Sequence, residues 1–155
     1  NTPLLWGQCT WFAWGRFYEI YEFNPGFTGN GYECAEQLVK AHPDSFELSS
    51  KPAAGAIFSA DQAHNHVGIV LEYDEKTDLL TIQEGNLDGI SNADWNDAID
   101  DYRTVQVTST QMREMYRNVK YANPTKQALK KKAIAELKNK SLYQRALEKL
   151  TKKSK

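Results

Sequence analysis

Two cysteines, Cys9 and Cys34, supply the thiol groups of the 155-residue sequence, and their surroundings differ. Cys9 immediately precedes residues 10–21, in which aromatic residues recur at steps of three and four, as they do along one face of a helix. Unpaired backbone N–H groups and the dipole at a helix N-terminus stabilise a thiolate and lower its pKa. Cys9 therefore occupies a favourable position for a nucleophile. The alternatives are a buried structural thiol or a disulfide between Cys9 and Cys34.

A predicted β-hairpin supplies the other groups that a thiol nucleophile needs. If the residues flanking the polar connector 74–78 pair, paired residue numbers sum to 152, so that His66 faces Asn86 and Glu84 lies one pair inward. A register shifted by two residues places His66 opposite Glu84 instead. Either register brings an imidazole, a carboxylate and a carboxamide together at the open end of the hairpin. A base oriented by an acceptor on its other ring nitrogen could hold a thiol deprotonated.

The elements that must position these groups predict an α+β fold, with two N-terminal helices packed on an antiparallel sheet. Hydrophobic periodicity and turn residues predict helices over 10–21, 32–42 and 109–117, and strands over 55–58, 67–73, 79–83, 102–108 and 119–122. The helical stripe consists of Trp11, Trp14, Tyr18 and Tyr21. We expect Cys34 to pack within the second helix.

Composition is consistent with one folded domain and an appendage. The chain is 41% hydrophobic and contains 4 Trp, 8 Tyr and 6 Phe residues, enough for a sizeable core, which excludes wholesale disorder. The longest uncharged stretch, residues 1–15, is shorter than the ~20 apolar residues of a membrane helix. The chain begins with Asn1 and has no signal-peptide pattern, so we expect it to be processed or excised from a longer protein.

Charge divides the chain into two regions. Residues 1–124 contain 8 Lys and Arg against 18 Asp and Glu, a net charge of −10, whereas residues 125–155 contain 11 against 2, a net charge of +9. An acidic body argues against specific nucleic-acid binding. We predict a catalytic domain over 1–124 and a lysine-rich helical tail or linker over 125–155. Because the tail is not expected to be part of the domain, a chain that ends at Pro124 should keep its thermal stability. The tail could bind anionic polymers.

Three motifs, taken in order, resemble the CHAP domain, the cysteine- and histidine-dependent amidohydrolase/peptidase module of bacterial and phage cell-wall enzymes. They are Gly7-Gln8-Cys9-Thr10-Trp11, Asn65-His66-Val67-Gly68-Ile69-Val70 and Gln83-Glu84-Gly85-Asn86. The likeness covers about residues 5–122. It implies a papain-like fold and a peptidoglycan hydrolase, either an N-acetylmuramoyl-L-alanine amidase or an endopeptidase of the stem or cross-bridge. It also implies action outside the cell, at the wall or on a virion.

The resemblance assigns a role to each residue of the cluster. Cys9 is the nucleophile, His66 the base and then the acid, Glu84 the orienting residue and Asn86 an auxiliary member. The Cys9 backbone N–H would hold the oxyanion, with Gln8 either as a second donor or as a structural helix-entry residue. In one departure from the family, Asn65 stands where many members have Gly before the histidine.

This mechanism requires neither a metal nor a redox cofactor. His64 and His66 could form a pair of metal ligands, but the sequence has no third ligand at a spacing typical of a metal site. The acidic loop at 94–101 lacks the mid-loop Gly and the terminal Glu of a calcium-binding loop. Trp6 and Trp95 are candidates for stacking on sugar rings in a substrate groove. Two further alternatives are a catalytically silent wall-binding module and a disulfide-stabilised structural domain.

Overall fold

The computed structural model describes residues 9–85, 102–133 and 149. Within them, the helices α1 to α3 and six strands, β1 to β6, form an α+β arrangement in which two helices precede the strands and the third lies between the last two strands. The elements are α1 (Cys9–Tyr21), a 3-10 helix (Gly31–Glu33), α2 (Cys34–Ala41), β1 (Phe46–Ser49), β2 (Ile57–Ser59), β3 (Val67–Asp74), β4 (Leu79–Gly85), β5 (Tyr102–Thr108), α3 (Ser109–Met115) and β6 (Lys120–Pro124). Residues 126–133 are helical as well. No helix in these ranges is both long and apolar enough to cross a membrane.

The strands form one antiparallel sheet in the order β1-β6-β2-β3-β4-β5. Every helix and strand predicted between residues 10 and 122 is present, with boundaries that differ by a few residues, whereas most of the predicted helical tail lies outside the described residues. The sequence prediction missed β1, an edge strand of four residues in which only Phe46 is fully buried. So short a segment shows too little alternation to be recognised as a strand.

The first face of the sheet is covered by α1 and α2. Ala13, Phe17 and Tyr21 of α1 are buried here and pack with Ile69 of β3. The predicted aromatic stripe was therefore partly wrong: Phe17 lies at its centre, whereas Tyr18 is 48% exposed. Aromatic residues line both sides of this helix, so their spacing alone did not identify the buried side.

A second core lies on the opposite face, because neighbouring residues of a strand point to opposite sides of a sheet. In β2, Ile57 belongs to the first core and Phe58 to the second. The second core also contains Ile82 of β4 and, from α3, Met112. The Thr108 side chain accepts a hydrogen bond from the Gln111 backbone N–H, and the Gln111 side chain accepts one from the Thr108 N–H. This capping box begins α3 directly at the end of β5.

The start of the lysine-rich tail packs on the body. Ala128 is fully buried in the first core, and Lys131 contacts the Ser45 hydroxyl at 3.2 Å and lies 5.4 Å from the centre of the Phe23 ring. The Thr125 hydroxyl donates to the Asp44 carbonyl at 2.6 Å. These contacts attach the first residues after Pro124 to the body, and the division into domain and tail stays a prediction.

Candidate active site

The first residue of α1 is Cys9, the position that the sequence predicts for a nucleophile. Its thiol is free and half-buried, and its sulfur lies 3.8 Å from the Asn65 carbonyl oxygen. Cys34 is free as well, so the structure has no disulfide between the two cysteines. As predicted, Cys34 is a packing residue: it is fully buried at the start of α2, and burial raises the pKa of its thiol to about 12.

The hairpin of β3 and β4 delivers the base and its acceptor. Asp74 pairs with Leu79 across a turn at 75–78, so the expected closing pair of Tyr73 with Leu79 was wrong by one residue. A register shift between Val70 and Glu72 corrects this offset, and Ile69 pairs with Gln83. The pairing at the open end therefore sums to 152, as the first of the two predicted registers requires.

His66 and Glu84 meet at this open end. The distance between His66 Nε2 and Glu84 Oε1 is 2.9 Å, and Glu84 has no exposed surface. A carboxylate can only accept, so Nε2 carries the proton and Nδ1 remains for the hydrogen bond that joins His66 to Cys9. The structure thus brings together three predicted residues that are far apart in sequence.

Ionisation of the cluster follows from these contacts. Burial alone would raise the pKa of Cys9, but the hydrogen bond to His66, the charge on that ring and the Val67 backbone N–H together lower it below its usual value. Burial would lower the pKa of His66, yet the bonds to Cys9 and Glu84 raise it to about 9. For Glu84, burial is again outweighed by its donors, and its pKa is lowered. The arrangement favours a thiolate beside an imidazolium.

Two small features of the chain hold His66 in place. Asn65 has a φ of 47°, in the left-handed region that glycine adopts most easily and asparagine next, which explains why asparagine can replace the glycine expected before the histidine. Gly31 lies against the His66 backbone so closely that an added Cβ would be 2.8 Å from its carbonyl carbon. The segment that carries His66 therefore needs a residue without a side chain at position 31.

Sequence reasoning missed two residues of the cluster. Arg103 Nε donates to Glu84 Oε2 at 2.6 Å, and the Tyr116 hydroxyl donates to Glu84 Oε1 at 2.7 Å. The Tyr116 ring also stacks on His66, with centroids 5.1 Å apart. Arg103 is the cross-strand partner of Glu84 in the pairing of β4 with β5. No local pattern in the sequence predicts that pairing, so the sequence has no signal that identifies Arg103.

Some predicted residues lie outside the described ranges, namely Trp6, Gln8, Asn86 and Trp95. Within those ranges, Tyr102 is another exposed aromatic residue near the site: it is 46% exposed and stacks on Phe12, one turn of α1 beyond Cys9, with a centroid distance of 5.4 Å. His64 touches only the periphery of the cluster: its ring is perpendicular to that of Tyr116, with a centroid distance of 5.8 Å. The described residues contain no group of three or more His, Cys, Asp or Glu arranged to hold a metal ion.

Comparisons with known proteins bear on the family and on the fold. The sequence model of the CHAP domain family matches residues 1–86, a range that contains Cys9, His66 and Glu84 but ends before Arg103. The fold is similar to a crystal structure of an N-acetylmuramoyl-L-alanine amidase from Staphylococcus aureus, with a TM-score of 0.50 and 17% identity over 77% of this chain. The chain spans only 31% of that amidase. No curated protein matches the sequence.

Proposed function

The chain belongs to the CHAP family, and from this premise we propose that it hydrolyses an amide bond of peptidoglycan by thiol catalysis. The observation that carries the proposal is the contact of a free thiol with an imidazole whose other nitrogen is held by a fully buried carboxylate. An activated nucleophile requires a base in contact with it and an acceptor that orients the base. Cys9, His66 and Glu84 are arranged in that sequence of contacts.

The reaction would proceed in two steps. The Cys9 thiolate attacks the scissile carbonyl carbon, and the resulting oxyanion is held by backbone N–H groups at the start of α1, which have no partner within the helix. His66 gives its proton to the leaving amine, and a thioester forms. His66 then accepts a proton from water, which attacks the thioester and releases the carboxylic acid, and the Cys9 thiolate and His66 imidazolium are restored. Gln8 remains our candidate for a second oxyanion donor, and Asn86 for an auxiliary residue.

The substrate would lie across the N-terminus of α1. Tyr102 presents an exposed ring beside this helix, and we add it to Trp6 and Trp95 as a candidate for stacking on sugar rings. This reaction would place the protein at the cell wall, outside the cell or on a virion, and we propose that it acts as one module of a larger phage or bacterial lytic protein. The net charge of +9 in residues 125–155 would add attraction to anionic wall polymers.

The proposal predicts a specific chemical product. Purified sacculi should release soluble fragments when incubated with the protein, and mass spectrometry of their new termini identifies the bond that is cut. Cys9→Ala should abolish the release, and Glu84→Gln should reduce it more than Asn86→Ala because only a carboxylate stabilises imidazolium by charge. Circular dichroism should show an unchanged fold in each variant. Binding to sacculi with no release by the unmodified protein would support the silent wall-binding alternative and contradict hydrolysis.

The pH dependence provides a second test. Activity should rise as the pH passes the lowered pKa of Cys9, because the thiolate then forms, and should fall as the pH passes the His66 pKa of about 9, because the imidazolium is then lost. Alkylation by iodoacetamide reports the thiolate alone, so its rate should show the same acid limb. An acid limb near the ordinary thiol value would contradict the proposed ion pair.

A further inference from the structure

Glu84 is an unusual acceptor because its carboxylate is fully buried and yet meets donors from three different elements. His66 reaches it from the residue before β3, Tyr116 from the segment that follows α3, and Arg103 from β5. The first two donate to Oε1, and Arg103 donates to Oε2. Every oxygen of the buried carboxylate therefore has a partner.

The charges along this chain of contacts alternate in sign. With the thiolate and imidazolium formed, Cys9 is negative, His66 positive, Glu84 negative and Arg103 positive, which gives a neutral group of four. Without the guanidinium, the same group would carry one uncompensated negative charge in a buried site, a situation that proteins usually avoid by binding a proton. The proton would go to Glu84 or to the thiolate. Either outcome removes the active form.

We propose that Arg103 is a positioning residue that acts through Glu84: it compensates the buried carboxylate, so that Glu84 stays ionised against His66 while Cys9 is a thiolate. This inference rests on the proposed thiol chemistry and extends it to a residue beyond the 1–86 match to the family. Arg103 suits the task, since it lies directly opposite Glu84 in the sheet and its side chain remains 40% exposed, which keeps the guanidinium partly hydrated.

Charge compensation and simple packing make different predictions for the pH profile. If Arg103 supplies charge, Arg103→Gln allows Glu84 to take up a proton at higher pH, and the acid limb of Cys9 alkylation moves upward by about one pH unit, the lower end of the usual effect of an adjacent opposite charge. If Arg103 only fills space, the rate changes by one factor at all pH values. Arg103→Lys keeps the positive charge and should restore the acid limb.

The experiment measures the rate of iodoacetamide alkylation of Cys9 between pH 4 and 10 in the full chain. The matched control is Arg113→Gln, which removes the same charge from the exposed surface of α3. There, the Arg113 guanidinium donates a hydrogen bond to the Thr110 hydroxyl of the same helix. We expect an upward shift in Arg103→Gln, recovery in Arg103→Lys and no shift in the control. An unshifted acid limb in Arg103→Gln overturns the proposal.

A double variant covers the case in which Arg103→Gln fails to fold. Glu84→Gln removes the charge that Arg103 compensates, so adding Arg103→Gln to it should leave the acid limb of Glu84→Gln unchanged. A further upward shift of one pH unit would show that Arg103 acts on Cys9 independently of Glu84, and would overturn the proposal. Alkylation needs no peptidoglycan, so these results stand apart from the sacculus assay. If the expected shifts occur but sacculi release no fragments, the proposed function alone has failed.

Discussion

Gly31→Ala provides a sharp test of how the site is positioned, because the added methyl group would meet backbone rather than a flexible side chain. Its Cβ would lie 2.8 Å from the carbonyl carbon and 2.9 Å from the Cα of His66, whereas ordinary contact begins at 3.4 Å. The two segments must therefore separate by about 0.6 Å before the added Cβ reaches ordinary contact with the His66 carbonyl carbon. Misplacing a reacting group by about 1 Å can reduce a rate about 100-fold.

We expect Gly31→Ala to lower the rate of Cys9 alkylation at pH 7 by roughly tenfold or more, because it weakens the bond to His66. Overpacking of this kind costs about 1–3 kcal/mol, which lowers Tm by about 2–4 °C per kcal/mol in a chain of this size. Circular dichroism should show that the fold is retained. The two effects are measured on the same preparation, by mass spectrometry and thermal unfolding.

Gly15→Ala is the matched control. Gly15 lies inside α1, and an added Cβ there has no heavy atom within 4 Å. Alanine in a helix interior stabilises the folded protein by about 0.5–1 kcal/mol relative to glycine, so this variant should unfold at the same or a higher temperature. Its Cys9 should be alkylated at the rate of the unmodified protein. If Gly31→Ala reacts and unfolds like Gly15→Ala, the 3-10 helix yields without moving His66, and our reasoning about the rigid contact is refuted.

Three further outcomes are expected. Iodoacetamide at pH 7 should label Cys9 much faster than Cys34 in the folded protein, since burial raises the Cys34 pKa to about 12, and equal labelling would contradict the assigned environments. Tyr116→Phe removes one hydrogen bond to the buried carboxylate but keeps the ring, so hydrolysis of sacculi should fall about three- to tenfold, as expected for ~1 kcal/mol; an unchanged rate would make the hydroxyl dispensable. A chain ending at Pro124 should unfold at a lower temperature than one ending at residue 133, and equal Tm values would show that the first turns of the tail add no stability.

The sequence allowed much of the fold and the centre of the site to be predicted. Strand alternation and a short connector fix a hairpin register to within a residue or two, and His66 and Glu84 fall on one face in either register. The aromatic periodicity after Cys9 identified α1 and the placement of the thiol at its start. These features depend on local patterns, which a single sequence contains.

The missed residues depend on contacts that no local pattern determines. Residues 86–101 separate β4 from β5, and so long a connection imposes no turn geometry, so the pairing of Glu84 with Arg103 could not be derived. Tyr116 reaches the carboxylate only after α3 has packed on the second face of the sheet. Such tertiary contacts require the assembled layers.

The turn at 75–78 closes the end of the hairpin that lies away from the candidate site, and it is suited to the insertion of additional sequence. At 3.3 Å per residue, the length of β3 from Val67 to Asp74 separates this turn from the catalytic end of the sheet by about 23 Å. Exposed loop tips tolerate inserted sequence best. A fluorescent reporter or a wall-targeting peptide placed between Glu75 and Lys76 should therefore leave the proposed chemistry intact, and the peptide would direct the protein to a chosen wall polymer.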